Sequence, residues 1–131
     1  MNPEEARNQL IKAYMGKLVH VVIDRPIGYQ HGDIVYPINY GYIPGIIAGD
    51  GEEQDAYILG VEEPVAAFSG RVIAIIHRFD DVEEKCVVAP ENRNFTKEKI
   101  AELTHFQEQF FRTEIRMQEK PCEYCSKIKC R

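Results

Sequence analysis

The chain has 131 residues, enough for one domain with a buried core and too few for two. It is 44% hydrophobic and 28% charged, an ordinary soluble balance, and a net charge of −5 argues against a nucleic-acid or anionic-membrane partner. No apolar run approaches the ~20 residues that span a bilayer, and Glu4 and Glu5 stand where a signal peptide would be basic, so a cytoplasmic setting is the default expectation.

Residues 2–15 read as a helix, with Asn2 as cap, Pro3 at the first helical position, Glu5 completing a capping box and Gly16 closing it. Ala6, Leu10, Ala13 and Tyr14 form its apolar stripe, a packing or assembly face. Leu18 to Ile23 is an apolar strand broken only by His20, and Asp24-Arg25-Pro26 ends it. The stretch Tyr36 to Gly60, YPINYGYIPGIIAGDGEEQDAYILG, is denser in chemistry than any other. Tyr36, Tyr40 and Tyr42 bracket a turn expected from Pro37, Asn39 and Gly41, and Gly49-Asp50-Gly51 marks a second tight bend. Asp50, Glu52 and Asp55 surround that bend and the mouth of a strand from Ala56 to Val61. Hard oxygen donors held close together suit Mg²⁺, which binds through a few carboxylates and retains waters. A solvated acidic hairpin would look the same, and only the tyrosine-rich segment ahead of it favours a site.

Further strands are expected over Tyr57 to Val61 and Arg71 to His77, separated by the turn-rich EEPVAAFSG. An acidic turn from Asp80 to Glu84 then leads into KCVVAP. Arg78, in the strand entering that turn, is expected to serve stability. Thr96 to Glu119 reads as one long helix, capped by Thr96 and stapled by Phe95 and Ile100, with Ile100, Leu103, Phe106, Phe110 and Phe111 as its core stripe. The carboxy-terminal CEYCSKIKC brings Cys122, Cys125 and Cys130 together. Three thiols without a fourth ligand favour free cysteines, with a zinc or iron clip and a disulfide or redox pair as the alternatives. The domain layout is thus a helix over 1–16, a barrel with its helix over 17–119, and a tail over 120–131.

YPINYGYI followed by DGEEQD resembles the signature of the family I soluble inorganic pyrophosphatases, over roughly residues 19 to 111. The resemblance implies an α+β fold, an OB-like five-stranded β-barrel with a short helix before it and a long one after it. It implies that Asp50 and Asp55 bind divalent metal, that Glu52 lies near the attacking water, and that Tyr36 and Tyr40 contact phosphate. Counting back from Pro90, Glu83 matches a metal-binding aspartate and Lys85 a phosphate-binding lysine, while either Asp80 or Asp81 matches an earlier aspartate. Asp24 corresponds to a carboxylate facing the site, and Arg25 becomes a phosphate contact by following it. Two departures stand out. Ile27 to Val35 replaces a longer hairpin that carries a lysine, a glutamate and an arginine in the family, leaving Arg25 and His31 to compensate. Glu114 and Ile115 stand where a tyrosine and a lysine follow the FF pair, with Arg112 or Arg116 as substitutes.

The implied chemistry is Mg²⁺-dependent hydrolysis of pyrophosphate, with two or more ions bound, Mn²⁺ or another divalent ion serving as an alternative, and a homo-oligomeric state. Two other readings remain: a metal-dependent hydrolase of another phosphoanhydride or phosphorylated compound, and a non-catalytic binding protein built on the same barrel.

Overall fold

Alternation of side chains across strands decides which residues of the apolar runs go where. In the computed structural model, which describes residues 3–80 and 83–118, Val19, Val21 and Ile23 of the first strand turn inward while His20 and Asp24 turn out to solvent. The elements in chain order are helix α1 (Pro3–Tyr14), strands β1 (Leu18–Arg25), β2 (Gln30–His31), β3 (Ile34–Val35), β4 (Asn39–Ile47), β5 (Glu53–Ile58), β6 (Ala67–Arg78) and β7 (Glu84–Ala89), helix α2 (Lys97–Glu108) and strand β8 (Thr113–Met117). Among the described residues no helix is long and apolar enough to cross a membrane.

The sheet runs β1-β4-β5-β7-β6, and β6 returns to pair with β1, closing a five-stranded barrel. Every pairing in the closed ring is antiparallel except β5 with β7. Val21, Ile23, Ile43, Ala56, Ile58, Val72, Ile75, Cys86 and Val88 fill the interior, and Leu10, Ile11 and Met15 pack α1 against it. Gly16, at φ 84°, ends α1 in the left-handed conformation that glycine adopts without strain. The cap expected at Asn2 lies outside the described residues. A second cluster, on the outer face, gathers Tyr36, Tyr40, Tyr57, Leu59, Ala74, Ile76 and Val87 under Ile100, Leu103 and Phe106 of α2. With both faces covered, the second halves of β5 (56–58) and β7 (86–89) read as continuous apolar runs rather than alternating ones.

Three sequence expectations need correction. The Pro37/Asn39/Gly41 segment leads into a strand, not a turn. Asn39 is fully buried and bonds the backbone of Ile27 and Glu63, and Gly41 is required because a Cβ there would lie 1.9 Å from the Val22 carbonyl oxygen. The predicted long helix stops at Glu108, and residues 113–117 form β8 on the edge of β6 instead. β6 pairs with β1 through Ala67–Arg71 and, beyond a bulge between Val72 and Ala74, with β8 through Ala74–Arg78. That vacant edge binds residues whose Ile115 and Met117 alternate onto the outer cluster. Tertiary pairing overrides a helical pattern that no Gly or Pro interrupts. Phe110 consequently leaves the core and is 65% exposed. Finally, β5 covers Glu53–Ile58 rather than extending to Val61, and β6 starts at Ala67 within the segment read as turns.

Candidate active site

The parallel pairing of β5 and β7 sets Ala56 opposite Cys86 inside the barrel, so Asp55 and Lys85, the residues before them, emerge together on the outer face. Tyr40 of β4 lies opposite Tyr57 of β5 on the same face. The Lys85 Nζ donates to Asp55 Oδ2 at 2.7 Å, to the Tyr40 hydroxyl at 2.9 Å and to Glu83 Oε1 at 3.1 Å. Its side chain is 4% exposed against 35% for Asp55, which makes it a buried cation beneath a solvent-facing carboxylate. Burial alone would lower the Lys85 pKa, but the neighbouring Tyr40 and Asp55 outweigh it and hold the amine charged well above its usual range. Tyr40 is held neutral in turn: burial raises its phenol, and Asp55 adds to that against the opposing pull of Lys85.

A chain of hydrogen bonds from α2 frames the opposite wall. Arg25 Nη1 donates to the Tyr36 hydroxyl at 2.6 Å, and that hydroxyl donates to Gln107 Oε1 at 2.6 Å. Gln107 Nε2 donates to the Tyr57 hydroxyl at 2.8 Å, which donates to Glu108 Oε2 at 2.6 Å. Glu108 also accepts two bonds from Arg78, from Nε at 2.9 Å and from Nη2 at 2.8 Å. Burial first, then the charge of Glu108, pushes the Tyr57 phenol far above its ordinary value, so it stays neutral while accepting from Gln107 and donating to Glu108.

These walls enclose a pocket of about 350 Å³ lined by Asp24, Arg25, Tyr40, Asp55, Arg78, Lys85, Gln107 and Phe111. Of the residues singled out in the sequence, Asp24, Arg25, Tyr40, Asp55 and Lys85 therefore come together, with Glu83 bonded to Lys85 and Tyr36 bonded to Arg25. Others do not line it. Asp50 and Glu52 are exposed on the turn between β4 and β5, where Asp50 Oδ1 accepts the Glu52 backbone N–H at 2.9 Å. Asp80 accepts the Arg112 backbone N–H at 2.6 Å and so secures the entry to β8, while Asp81 lies outside the described residues. His31 belongs to the small β2–β3 hairpin and is exposed. Arg112 packs over the Phe79 ring, and Arg116 pairs with Glu114 at 3.9 Å. Cys122, Cys125 and Cys130 are beyond the described residues.

Three further residues line the pocket: Arg78, expected only to serve stability, Phe111, expected only in the core stripe of the helix, and Gln107, which was not singled out. A signal existed for Arg78: it stands two residues beyond Ile76, on the helix-covered face of β6. Nothing in the sequence placed Gln107 or Phe111 at the pocket, because the end of α2 was not legible.

The carboxylates at this site suit a hard divalent ion: Asp24 and Asp55 line the pocket, Glu83 is bonded to its Lys85, and each is partly open to solvent. Among the described residues no three acidic, histidine or cysteine side chains converge as a ready-made metal cage. Mg²⁺ does not require one, because it is held by one or two carboxylates together with waters and substrate oxygens.

The family model described as inorganic pyrophosphatase matches residues 7–124. The chain is 26% identical over 119 residues to an inorganic pyrophosphatase of Mesorhizobium japonicum, covering 82% of this chain and 67% of that protein. It is 27% identical over 128 residues to a soluble inorganic pyrophosphatase of Solanum tuberosum, covering 82% of this chain and 60% of the relative. The match thus spans only about two thirds or less of either relative's length. Among solved structures, the inorganic pyrophosphatase from Ehrlichia chaffeensis superposes with a TM-score of 0.64 at 19% identity, covering 79% of this chain and 88% of that one. The one from Coxiella burnetii gives 0.59 at 17% identity, covering 82% and 89%. At such identity the structural likeness speaks for the fold, the closed barrel described above. The sequence match, running from within α1 past the last strand, carries the further conclusion that the chain belongs to the inorganic pyrophosphatase family.

Proposed function

We propose that the chain hydrolyses inorganic pyrophosphate to two phosphates in the pocket beneath α2, with the help of a divalent metal ion, Mg²⁺ first among them. The observation that carries this reading is the buried Lys85 ammonium, bonded to both Tyr40 and the solvent-facing Asp55. Its three protons are engaged, so a phosphate oxygen takes the place of one present partner, an exchange favoured because the cation is already desolvated and oriented and the carboxylates are drawn to a bound metal. Family membership makes pyrophosphate the first substrate to consider.

Asp24, Asp55 and Glu83 are the residues that would hold the ion. When bound, it supplies charge neutralisation for the phosphates and a more acidic water. The protein's own groups account for the rest. Lys85 and Arg25 bracket the substrate with positive charge, and Tyr40, a neutral phenol, remains a hydrogen-bonding partner for a phosphate oxygen throughout the neutral range. Attack of water on one phosphorus breaks the bond to the bridging oxygen, and the electron pair leaves on the second phosphate. Asp55, which lines the pocket, takes the water's proton, whereas Glu52, expected near the attacking water, stands outside the pocket lining. Self-association fits the same reading, since Leu18, Phe79 and Phe110 leave large apolar side chains exposed.

The test is phosphate release from pyrophosphate and from nucleoside di- and triphosphates, with and without Mg²⁺. Mg²⁺-dependent release from pyrophosphate in clear preference to the nucleotides is expected. Release from the nucleotides alone would favour a hydrolase of other phosphoanhydrides, and no release from any of them would favour a binding protein.

A further inference from the structure

Strand alternation carries Asp55 and Lys85 to the outer site and turns their neighbours Gln54 and Glu84 the other way, to the interior side of the barrel. There Glu84 Oε2 lies 2.5 Å from the His77 Nδ1, and all three side chains are buried. Between α1 and the β4–β5 hairpin opens a cavity of about 370 Å³, which shares no lining residue with the pocket beneath α2. Gln54 and Glu84 form its polar floor, and Leu10, Ala13, Ile46, Ile47 and Ala48 supply apolar walls.

Partners fix the orientation of the Gln54 amide. Its nitrogen donates to two backbone carbonyls, those of Asp55 at 3.0 Å and Glu84 at 2.6 Å, so the other amide atom is the oxygen. That Oε1, on a residue 1% exposed, has no hydrogen-bond partner among the described residues. Tying β5 to β7 requires only the nitrogen, and an unmet buried acceptor costs stability. An apolar side chain would fill the barrel with less penalty. The oxygen is instead placed for a ligand that donates hydrogen bonds.

Charge narrows the class of donor. Glu84 adds a carboxylate to the floor, and Asp50, Glu52 and Glu53 stand exposed on the hairpin that walls the cavity. No lysine, arginine or histidine is among the lining residues. A cation is therefore favoured over an anion. A metal ion suits the lining poorly, because one carboxylate and one amide oxygen face apolar walls. An ammonium on a short hydrocarbon chain matches both parts, with its body covering Ile47, which is 62% exposed.

We propose that this cavity is a second ligand site of the protein and takes a small organic amine in its ammonium form, bound through Gln54 Oε1 and Glu84. The site stands apart from hydrolysis in the pocket beneath α2. The probe is n-butylammonium, titrated into ¹⁵N-labelled protein at neutral pH and followed by NMR. The alcohol n-butanol and the anion butyrate serve as neutral and negative counterparts. Saturable shifts of the Gln54 side-chain amide and of the Gly45 and Gly49 backbone signals are expected, with a Kd of about a millimolar or lower. Butanol should bind at least about tenfold more weakly, because it lacks the charged hydrogen bonds, and butyrate should not bind. Gln54→Met removes the acceptor at similar length and should weaken binding about tenfold or more. Ala13→Phe fills the cavity from the exposed α1 side, leaves Gln54 and Glu84 in place, and should abolish binding with the melting temperature held. If Gln54→Met fails to fold, Ala13→Phe decides alone. The absence of saturable shifts in the wild type would overturn the proposal and leave water as the partner of Gln54 Oε1. Binding that survives Ala13→Phe, or butyrate binding as tightly as the amine, would overturn it equally.

Discussion

Replacing Lys85 with methionine removes the ammonium while retaining most of the side-chain volume, so packing around β7 should survive. The lost group makes three bonds, at 2.7, 2.9 and 3.1 Å, to Asp55, Tyr40 and Glu83. Asp55 and Glu83 are 35% and 28% exposed and hydrate readily, so the stability change should stay near 1 kcal/mol, the net value of a hydrogen bond. Substrate binding is affected differently. A charged hydrogen bond to phosphate contributes roughly 1.5–3 kcal/mol, which corresponds to a fall of about 10- to 150-fold in kcat/KM. The same substitution releases two carboxylates from their cation, so the Mg²⁺ concentration needed for half-maximal activity should drop. Because the folded Lys85 pKa lies above its ordinary 10.5, the amine stays charged below that value, and any stability it contributes is lost only as pH rises through the higher folded pKa. The deficit of Lys85→Met should accordingly be flat from about pH 6 to about pH 10. The assay is phosphate release at varied pyrophosphate, Mg²⁺ and pH, with a thermal melt alongside. Wild-type kcat/KM in the folded variant, or an unchanged Mg²⁺ requirement, would refute this account of the pocket floor.

Gly41→Ala should prevent folding or leave only a weakly stable chain, since the added Cβ would lie 1.9 Å from the Val22 carbonyl oxygen and 2.8 Å from the Ile23 Cα; a melt indistinguishable from wild type would show that β1 and β4 are not this close. Tyr57→Phe removes the hydroxyl shared by Gln107 and Glu108 and should destabilise by about 1–3 kcal/mol in urea titrations with an unchanged slope. Cys86 is fully buried inside the barrel, and its thiol is pushed up to about 12, by burial first and by Glu84 and Asp55 after it. Mass mapping after alkylation at neutral pH should find Cys86 unmodified until the chain is unfolded.

The barrel and the floor of its site were legible in the sequence because both rest on strand alternation. Lys85 precedes a buried Cys86 and Asp55 a buried Ala56, so the motif and the period of two lead to the same face. Gly41 was assigned to a turn, since Pro37, Asn39 and Gly41 are all turn-forming residues, and its close approach to the Val22 carbonyl went unseen. What the sequence could not convey is that a buried Asn39 side chain satisfies the neighbouring backbone and lets a strand begin there. Asp50 and Glu52 looked equivalent to Asp55 because spacing fixes distance along the chain but not the direction in which a turn leaves a strand. The end of α2 was hidden for a related reason. Phe110 and Phe111 continue the helical stripe with no Gly or Pro after them, and only the unfilled edge of β6, which pairs with Thr113–Met117, ends it. With β8 unseen, the placing of Gln107 and Phe111 against Arg25 and Arg78 was out of reach.

The central claim is that metal-dependent hydrolysis of pyrophosphate takes place where Asp55 meets Lys85. Asp55→Asn tests it most directly, because the amide retains the shape and a hydrogen-bonding oxygen while losing the charge. Asp55 is about one-third exposed and Lys85 keeps Tyr40 and Glu83 as partners, so the fold should persist with a melting temperature near that of wild type. Steady-state phosphate release at saturating Mg²⁺ should fall by at least about a hundredfold, within the range that a lost acid–base group produces. Full activity with an unchanged Mg²⁺ dependence would contradict the claim, as would a lowered melting temperature with turnover intact, which would make Asp55 a structural partner of Lys85 and nothing more.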